Sequence, residues 1–262
     1  MIFLAIFSAF YVRRIANLQD NDQIRASGHG FFVCLCTWRL NSRPVLADHR
    51  SAGRRPIKNY LPMLDMLRQY VSGYVALTNE EFTFLADKIV IRNFDRKHQL
   101  VKAGEVEHYM NFVVKGLVRM YFYKGKTEVV TNIAKEGQLV SSSASFLSAT
   151  PSSYIIETLE PSQLLSLTRE HLDQIYLQNP RIEKLGRLMI TQFVLQKEEW
   201  ELECMRLDTR ERFLRFVENN PDLMQRVPQK YLASYLNMKP ETFSRLKHLL
   251  RKRTPATKTL HR

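Results

Sequence analysis

The window Gln229–Leu250, QKYLASYLNMKPETFSRLKHLL, constrains this chain more than any other, because its apolar spacing fits two short helices joined by a tight corner. Leu232 and Leu236 fall on one face of the first helix and Phe243 and Leu246 on one face of the second, so these four predict a small shared core. Ala233 is small enough to let a second helix cross closely, and Asn237 tolerates a left-handed backbone better than most non-glycine residues. Pro240 suits a first helical turn, where a missing N–H costs nothing, and Glu241 beside it favours the positive end of the helix dipole. The remaining face carries Glu241, Ser244, Arg245 and His248 and runs on into Arg251, Lys252 and Arg253, side chains of the kind that meet base edges and phosphates. The alternative is an ordinary helical hairpin with a solvated basic face. Against it stands the agreement of apolar spacing, small residue, corner residue and proline within one window.

The charge balance points to polyanions. With 39 Lys and Arg against 26 Asp and Glu, the 262-residue chain carries a formal charge of +13, so nucleic acid or an acidic membrane surface is the expected partner. A hydrophobic content of 45% and a charged content of 25% are those of a soluble globular protein. Three cysteines, Cys34, Cys36 and Cys204, are too few and too irregular for a disulfide framework or a four-ligand zinc site, which places the chain in a reducing cytoplasm. Residues 1–62 read differently from the rest. The apolar run MIFLAIFSAFYV is too short to span a bilayer and has Arg13 and Arg14 after it, where an export signal has them before, so no membrane partner is expected. No helical or strand period follows, and the segment reads as an over-extended start, with the working protein beginning near Met63 or Met66; a disordered or membrane-associating tail is the alternative.

Residues 63–178 read as a small β-barrel or jelly roll. Thr78 and Glu81 form a capping box for a short helix through Asp87. Short apolar runs follow, giving strands at Lys88–Phe94, Gln99–Lys102, Tyr109–Lys115, Leu117–Tyr123, Glu128–Ala134, Gln138–Val140, Tyr154–Leu159 and Gln163–Thr168. Gly104, Gly116, Gly125 and Gly137 fall at the interruptions, as turns require.

Three segments of this region, Lys102-Ala-Gly-Glu105, Phe112-Val-Val-Lys-Gly116 and Gly137-Gln-Leu-Val140, resemble the effector barrel of the Crp/Fnr family of bacterial transcription regulators, and the corner at Gln229–Leu250 stands where that family carries its DNA-reading motif. The resemblance covers Met63 to Arg253. It implies an α+β architecture: a cyclic-nucleotide-binding-like barrel, a dimerisation helix and a C-terminal helix-turn-helix domain. In the family's cyclic-nucleotide members a glutamate binds the ribose and an arginine the cyclic phosphate. Ser142 and Ser152 occupy those positions here, which argues against cyclic AMP because hydroxyls replace an arginine–phosphate pair only weakly. Ser141, Ser142, Ser143, Ser152 and Ser153 could still line a pocket for another effector, or the serine run could be a polar turn with no ligand at all. In the DNA-reading motif, Pro240, Glu241 and Arg245 match the three residues that read bases, with Pro240 in place of an arginine. Glu241 is suited to accept from a cytosine amino group and Arg245 to donate two bonds to guanine. Lys239, Lys247, Arg251 and Lys252 are placed for phosphates, and the wing that many relatives carry has no clear strand pair here.

Between barrel and corner, Asn179-Pro180 starts a helix that runs unbroken through residues 179–207. Leu188, Leu195 and Leu202 recur every seven positions, as do Phe193, Trp200 and Leu207, giving two seams separated by about 140° around the axis. Two nearly opposite seams predict a helix gripped by its own barrel on one side and by a second copy on the other; burial within one subunit is the alternative. Asp208 and Glu211 form a capping box that opens the C-terminal region, residues 208–262, and marks the hinge. Cys204 reads as a packing residue.

No catalytic constellation appears. HExxH, CxxC and a phosphate-cradling glycine loop are all missing, and His98 and His108 stand alone as surface histidines, so neither an enzyme nor a bound metal or cofactor is expected. The expectation is a homodimeric regulator of transcription that binds double-stranded DNA, with RNA polymerase as a further partner and a signal of unknown identity sensed in the barrel. The alternative is a small-molecule-binding or enzymatic barrel whose basic tail adheres to polyanions without sequence preference.

Overall fold

The computed structural model describes residues 61–253. The leader expectation therefore lies outside the described residues, apart from Leu61 and Pro62, which open helix α1 (Leu61–Ser72). The sequence reading assigned no element here, yet Leu67 and Val71, one turn apart, are the buried residues that hold α1 to the barrel. Helix α2 (Asn79–Ala86) starts as predicted: Thr78 accepts from the Glu81 N–H while the Glu81 carboxylate accepts from the Thr78 N–H.

Eight strands follow, each within two residues of its predicted bounds: β1 (Val90–Phe94), β2 (Gln99–Val101), β3 (Tyr109–Lys115), β4 (Val118–Lys124), β5 (Thr127–Ala134), β6 (Leu139–Val140), β7 (Ile155–Thr158) and β8 (Ser162–Thr168). They pair antiparallel as two four-stranded sheets, β1-β8-β3-β6 and β2-β7-β4-β5, in a jelly-roll-like arrangement. Val101, Val113, Val118, Val140, Ile156 and Leu164 pack together as an apolar interior drawn from both sheets. Gly116 turns the chain from β3 into β4 with φ 98°, and a Cβ there would come within 2.8 Å of the Pro161 carbonyl, so only glycine fits.

Between β6 and β7 lies α3 (Ser143–Ser148), so the serine run leads from Ser141 and Ser142 into a short helix and does not form a polar turn. After β8 comes α4 (Arg169–Gln178), capped by the Thr168 side chain and also unassigned by the sequence reading. The long helix α5 (Pro180–Arg206) begins with Asn179 accepting from the N–H groups of Arg181 and Ile182, as predicted. Gly186 lets α5 cross α4 closely; any side chain there would overlap the Tyr176 ring.

The barrel-side seam of α5 is not gripped as the heptads predicted. Its barrel contacts come from Ile182 and Leu185 in the first turns. Farther along, Phe193 of the supposed barrel-side seam is 47% exposed, and Trp200 stacks on Tyr235 of α8 (Gln229–Tyr235), centroids 5.0 Å apart. The reason is geometric: α5 outruns the barrel, and helices C-terminal to it supply the cover. The other seam is bare in the single chain, with Leu195 and Leu202 exposed.

Asp208 and Glu211 cap α6 (Thr209–Asn219) reciprocally. The chain then forms α7 (Leu223–Arg226), α8 and α9 (Pro240–Arg253). Phe213, Phe216, Leu232, Leu236 and Phe243 from these helices share one apolar cluster with Leu117, Tyr121, Val130 and Ile133 of the barrel.

Candidate functional site

The corner between α8 and α9 is built from the residues that its spacing singled out. Leu232, Ala233, Leu236 and Phe243 are fully buried and Leu246 nearly so, and the Phe213 ring meets Phe243 edge-on at 5.1 Å. Asn237 takes the left-handed backbone, φ 53°, while the N–H groups of Asn237 and Met238 donate to the carbonyls of Ser234 and Ala233. One side of α9 is thus committed to packing.

The opposite side faces outward. Glu241, Arg245 and His248, spaced four and three apart, form an exposed stripe along one helical face, with Ser244 and Lys247 half-buried at its margins. Lys239 and Pro240 are exposed at the start of α9. Arg251 and Lys252 continue the helix, and their side chains lie outside those described.

Helix α8 is fastened to β5 as well as to α9. The Val130 N–H donates to the Ser234 hydroxyl at 2.9 Å, and that hydroxyl donates to the Glu128 carbonyl at 3.2 Å. Close by, the Arg119 guanidinium lies between the Tyr121 and Tyr231 rings, 3.9 and 4.0 Å from their centroids, and pairs with Glu128 and Glu157 at 2.7 and 2.9 Å. Hydrogen bonding from Arg119 holds the Glu128 carboxyl below the usual carboxylate range. At the α7 end, Arg226 grips Glu136 and Glu160 at 2.8 and 2.7 Å, and Lys135 holds Asp222 at 2.9 Å. The Arg226 hydrogen bonds push Glu136 down to about 2. Arg212, 9% exposed, donates to the carbonyls of Cys204 and Leu207 and so pins α6 to the end of α5. A groove of about 350 Å³ beside it is lined by Trp200, Glu203, Arg215 and Tyr235 among others.

The serine cassette closes on itself. Ser142 and Ser152, the two positions that the resemblance gives to the ribose and phosphate contacts, are 3% and 4% exposed with their hydroxyl oxygens 2.8 Å apart. Ser152 also accepts from the Tyr154 N–H, and its backbone pairs with Gly104 and Glu105. Ser141 and Ser143 are half-buried and Ser153 is exposed, so the five are not gathered around one opening. Ser145 accepts from the Glu107 N–H at 2.9 Å and donates to the Thr150 carbonyl.

Glu107 is the residue that sequence reasoning missed. Its side chain is buried, with one carboxyl oxygen accepting from the Tyr109 N–H and the other without a partner, as is the Ser141 hydroxyl. Burial raises its pKa to about 7. Nothing in Glu105-Val-Glu107 distinguishes the buried acid from its solvated neighbour.

Among the described residues no group of three His, Cys, Asp or Glu side chains is placed to hold a metal, and no helix is long and apolar enough to cross a membrane. Residues 91–179 match the family model described as Cyclic nucleotide-binding domain. No curated protein sequence matches the chain. Solved structures that share the fold include two bacterial regulators. One is the c-di-GMP responsive global regulator CLP of Xanthomonas campestris, 16% identical with a TM-score of 0.54, aligning 67% of this chain with 92% of that one. The other is FixK2 of Bradyrhizobium japonicum, 16% identical with a TM-score of 0.55, aligning 63% of this chain with 85% of that one. At the level of fold these matches bear out the resemblance to the Crp/Fnr regulators.

Proposed function

We propose that this chain, whose barrel is of the cyclic-nucleotide-binding type, is a homodimeric, DNA-binding regulator of transcription rather than an enzyme, with α8 and α9 as its helix-turn-helix. The observation that carries the proposal is the division of α9 into a side buried around Phe243 and an outward stripe of Glu241, Arg245 and His248. A helix packed in this way presents its first turns to the major groove while the helix before it crosses the sugar–phosphate backbone. Glu241 accepts from a cytosine amino group and Arg245 donates a bonded pair to guanine, each worth ~1–3 kcal/mol of discrimination. Lys239, Lys247, Arg251 and Lys252 take phosphates and set the salt dependence.

The bare seam of α5 is the place for a second copy. Leu195 and Leu202 are 53% and 41% exposed and lie two turns apart along one face, a spacing at which two copies of α5 interlock. A two-fold pair then favours an inverted repeat with half-sites about one helical turn apart. Leu195→Asp with Leu202→Asp should give a soluble monomer on a sizing column; an unchanged dimer contradicts the assignment. The barrel senses a signal other than cyclic AMP, since Ser142 and Ser152 are engaged with one another and provide no cation for a phosphate. The signal changes the tilt of the paired helices near Leu202–Asp208, which requires a ligand or partner that distinguishes the two arrangements.

Arg245→Ala tests the function. Affinity for the preferred site should fall roughly ten-fold or more while binding to random duplex changes little. Equal weakening on both would mean a basic barrel that adheres to polyanions.

A further inference from the structure

The β4–β5 hairpin carries a charged feature that the reading helix does not use. Its two-residue turn, set by the pairing of Lys124 with Thr127, places Lys124 and Lys126 on either side of Gly125, and both lysines are exposed. The hairpin is not free in space, because Ser234 of α8 bonds Val130 and Glu128 of β5. At the start of α8, exposed Lys230 lies 4.7 Å over the Tyr231 ring, whose ring in turn lies 4.0 Å from the Arg119 guanidinium that holds Glu128. A continuous line of contacts therefore joins Lys230 to Glu128. From there the strand reaches Lys126 in two residues, about 7 Å at strand rise. Glu128, the carboxylate nearest the turn along the chain, is paired with Arg119 at 2.7 Å; Lys230 lies close enough to act on it electrostatically, without forming an ion pair. Among the described residues none of Lys124, Lys126 and Lys230 forms an ion pair with a carboxylate.

We infer that Lys124 and Lys126, together with Lys230, form a second phosphate-binding patch that grips the duplex backbone beside the segment read by α9. The inference rests on the proposed DNA-reading role of the corner. If the first helix of such a corner crosses the backbone, the start of α8 lies against phosphates, and the hairpin docked alongside it extends the contact onto neighbouring phosphates. The patch contributes affinity and salt dependence without sequence choice, because an ammonium on a phosphate reads no base.

The test uses the full chain and two duplexes of equal length, one with the preferred site and one random. Binding is measured from 50 to 200 mM salt for the unaltered chain, for Lys124→Gln/Lys126→Gln, and for Arg96→Gln/Lys102→Gln. The last pair removes two exposed charges near β2, which lies at the opposite side of its sheet from β5. Losing two phosphate contacts should lower the magnitude of the log–log salt slope by ~1.8 on both duplexes, so the variant loses about twelvefold less affinity over that range than the unaltered chain does. The control pair should leave the slope unchanged. An unaltered slope in Lys124→Gln/Lys126→Gln, or an equal drop in the control, overturns the patch while leaving the reading helix intact. A full chain that binds neither duplex overturns both.

Discussion

Around α3 polar side chains turn inward beside Phe146, Ser152 onto Ser142 next to the helix and Ser145 onto the backbone of Glu107, whereas at α9 only apolar side chains take the inward positions and the charged ones face out. The first, six residues long, lies against strand β3 of the barrel; the second, fourteen residues long, lies against α8 and α6. The first is anchored by Phe146, fully buried in a core with Phe112 and Leu165, and by the Ser145 hydroxyl on the Glu107 N–H; the second is anchored by Phe243 and Leu246 in a core shared with α6 and α8. A helix held by apolar packing is free to commit its polar face to a partner. Where the hydroxyls are bonded to one another and to nearby backbone, as around α3, the groups that a ligand would need are already used. The acids repeat the contrast: Glu107, beside the cassette, is pushed up to about 7 by burial, while Glu136, where the C-terminal helices meet the barrel, is held down to about 2 by Arg226.

The sharpest way to break this contrast is Phe243→Ala. It should cost about 3–5 kcal/mol in a urea melt, with hydrogen exchange rising first in α8 and α9. A cost below 1 kcal/mol would mean that apolar packing does not hold the corner.

Next in size is Glu107. Its proton is bound more tightly in the folded chain, so its contribution favours the fold in acid and is lost as pH rises from the ordinary carboxylate range through about 7. Stability should fall by on the order of 2–3 kcal/mol between pH 5 and pH 8, and Glu107→Gln should flatten that fall. Parallel curves for the two proteins would remove Glu107 from the account.

Ser152→Ala leaves Ser142 and the Tyr154 N–H short of a partner and should cost about 1–2 kcal/mol in the same melt, with duplex affinity unchanged. If DNA binding moved instead, the cassette and the corner would be coupled more tightly than their separate packing implies.

The smallest effect is expected at Glu136. Its folded pKa lies below the ordinary value, so its contribution is present above the ordinary carboxylate range and is lost as pH falls from there through about 2. Glu136→Gln should cost about 1 kcal/mol near neutrality, since both partners are about one-third exposed, and should blunt the acid limb of the stability curve. An unchanged acid limb would show that Arg226 relies on Glu160 alone.

What could be read from the sequence follows the reach of each interaction. The caps at Thr78, Asn179 and Asp208 bond within three residues, and the strands alternate within five or so, so both were visible locally. The stripe on α9 was visible for the same reason, its members being three and four apart. Helix α3 was not, because serine is a weak helix former and its anchors are remote, Phe146 in a core with Phe112 and Leu165 and the Ser145 bond to Glu107 spanning 38 residues. Trp200 was assigned to the barrel because a heptad count reveals a seam but not its occupant; Tyr235, 35 residues away, fills that place. Helix α1 had its Leu67–Val71 signal in plain view, but it sat against an unpatterned leader that obscured its start. Nothing local links the lysines at Gly125 to α8; the bond between Val130 and Ser234, 104 residues apart, joins their hairpin to that helix.

The Ser234 clasp has one more consequence. Strand β5 is the last of its sheet, and the Val130 N–H and Glu128 carbonyl that Ser234 satisfies are groups an open border would offer to any passing extended chain. A rearrangement large enough to lift α8 away would uncover that border along Thr127–Ala134. Movement of the C-terminal helices is thereby tied to protection against self-templated aggregation, and small tilts that keep the clasp shut are the safe ones.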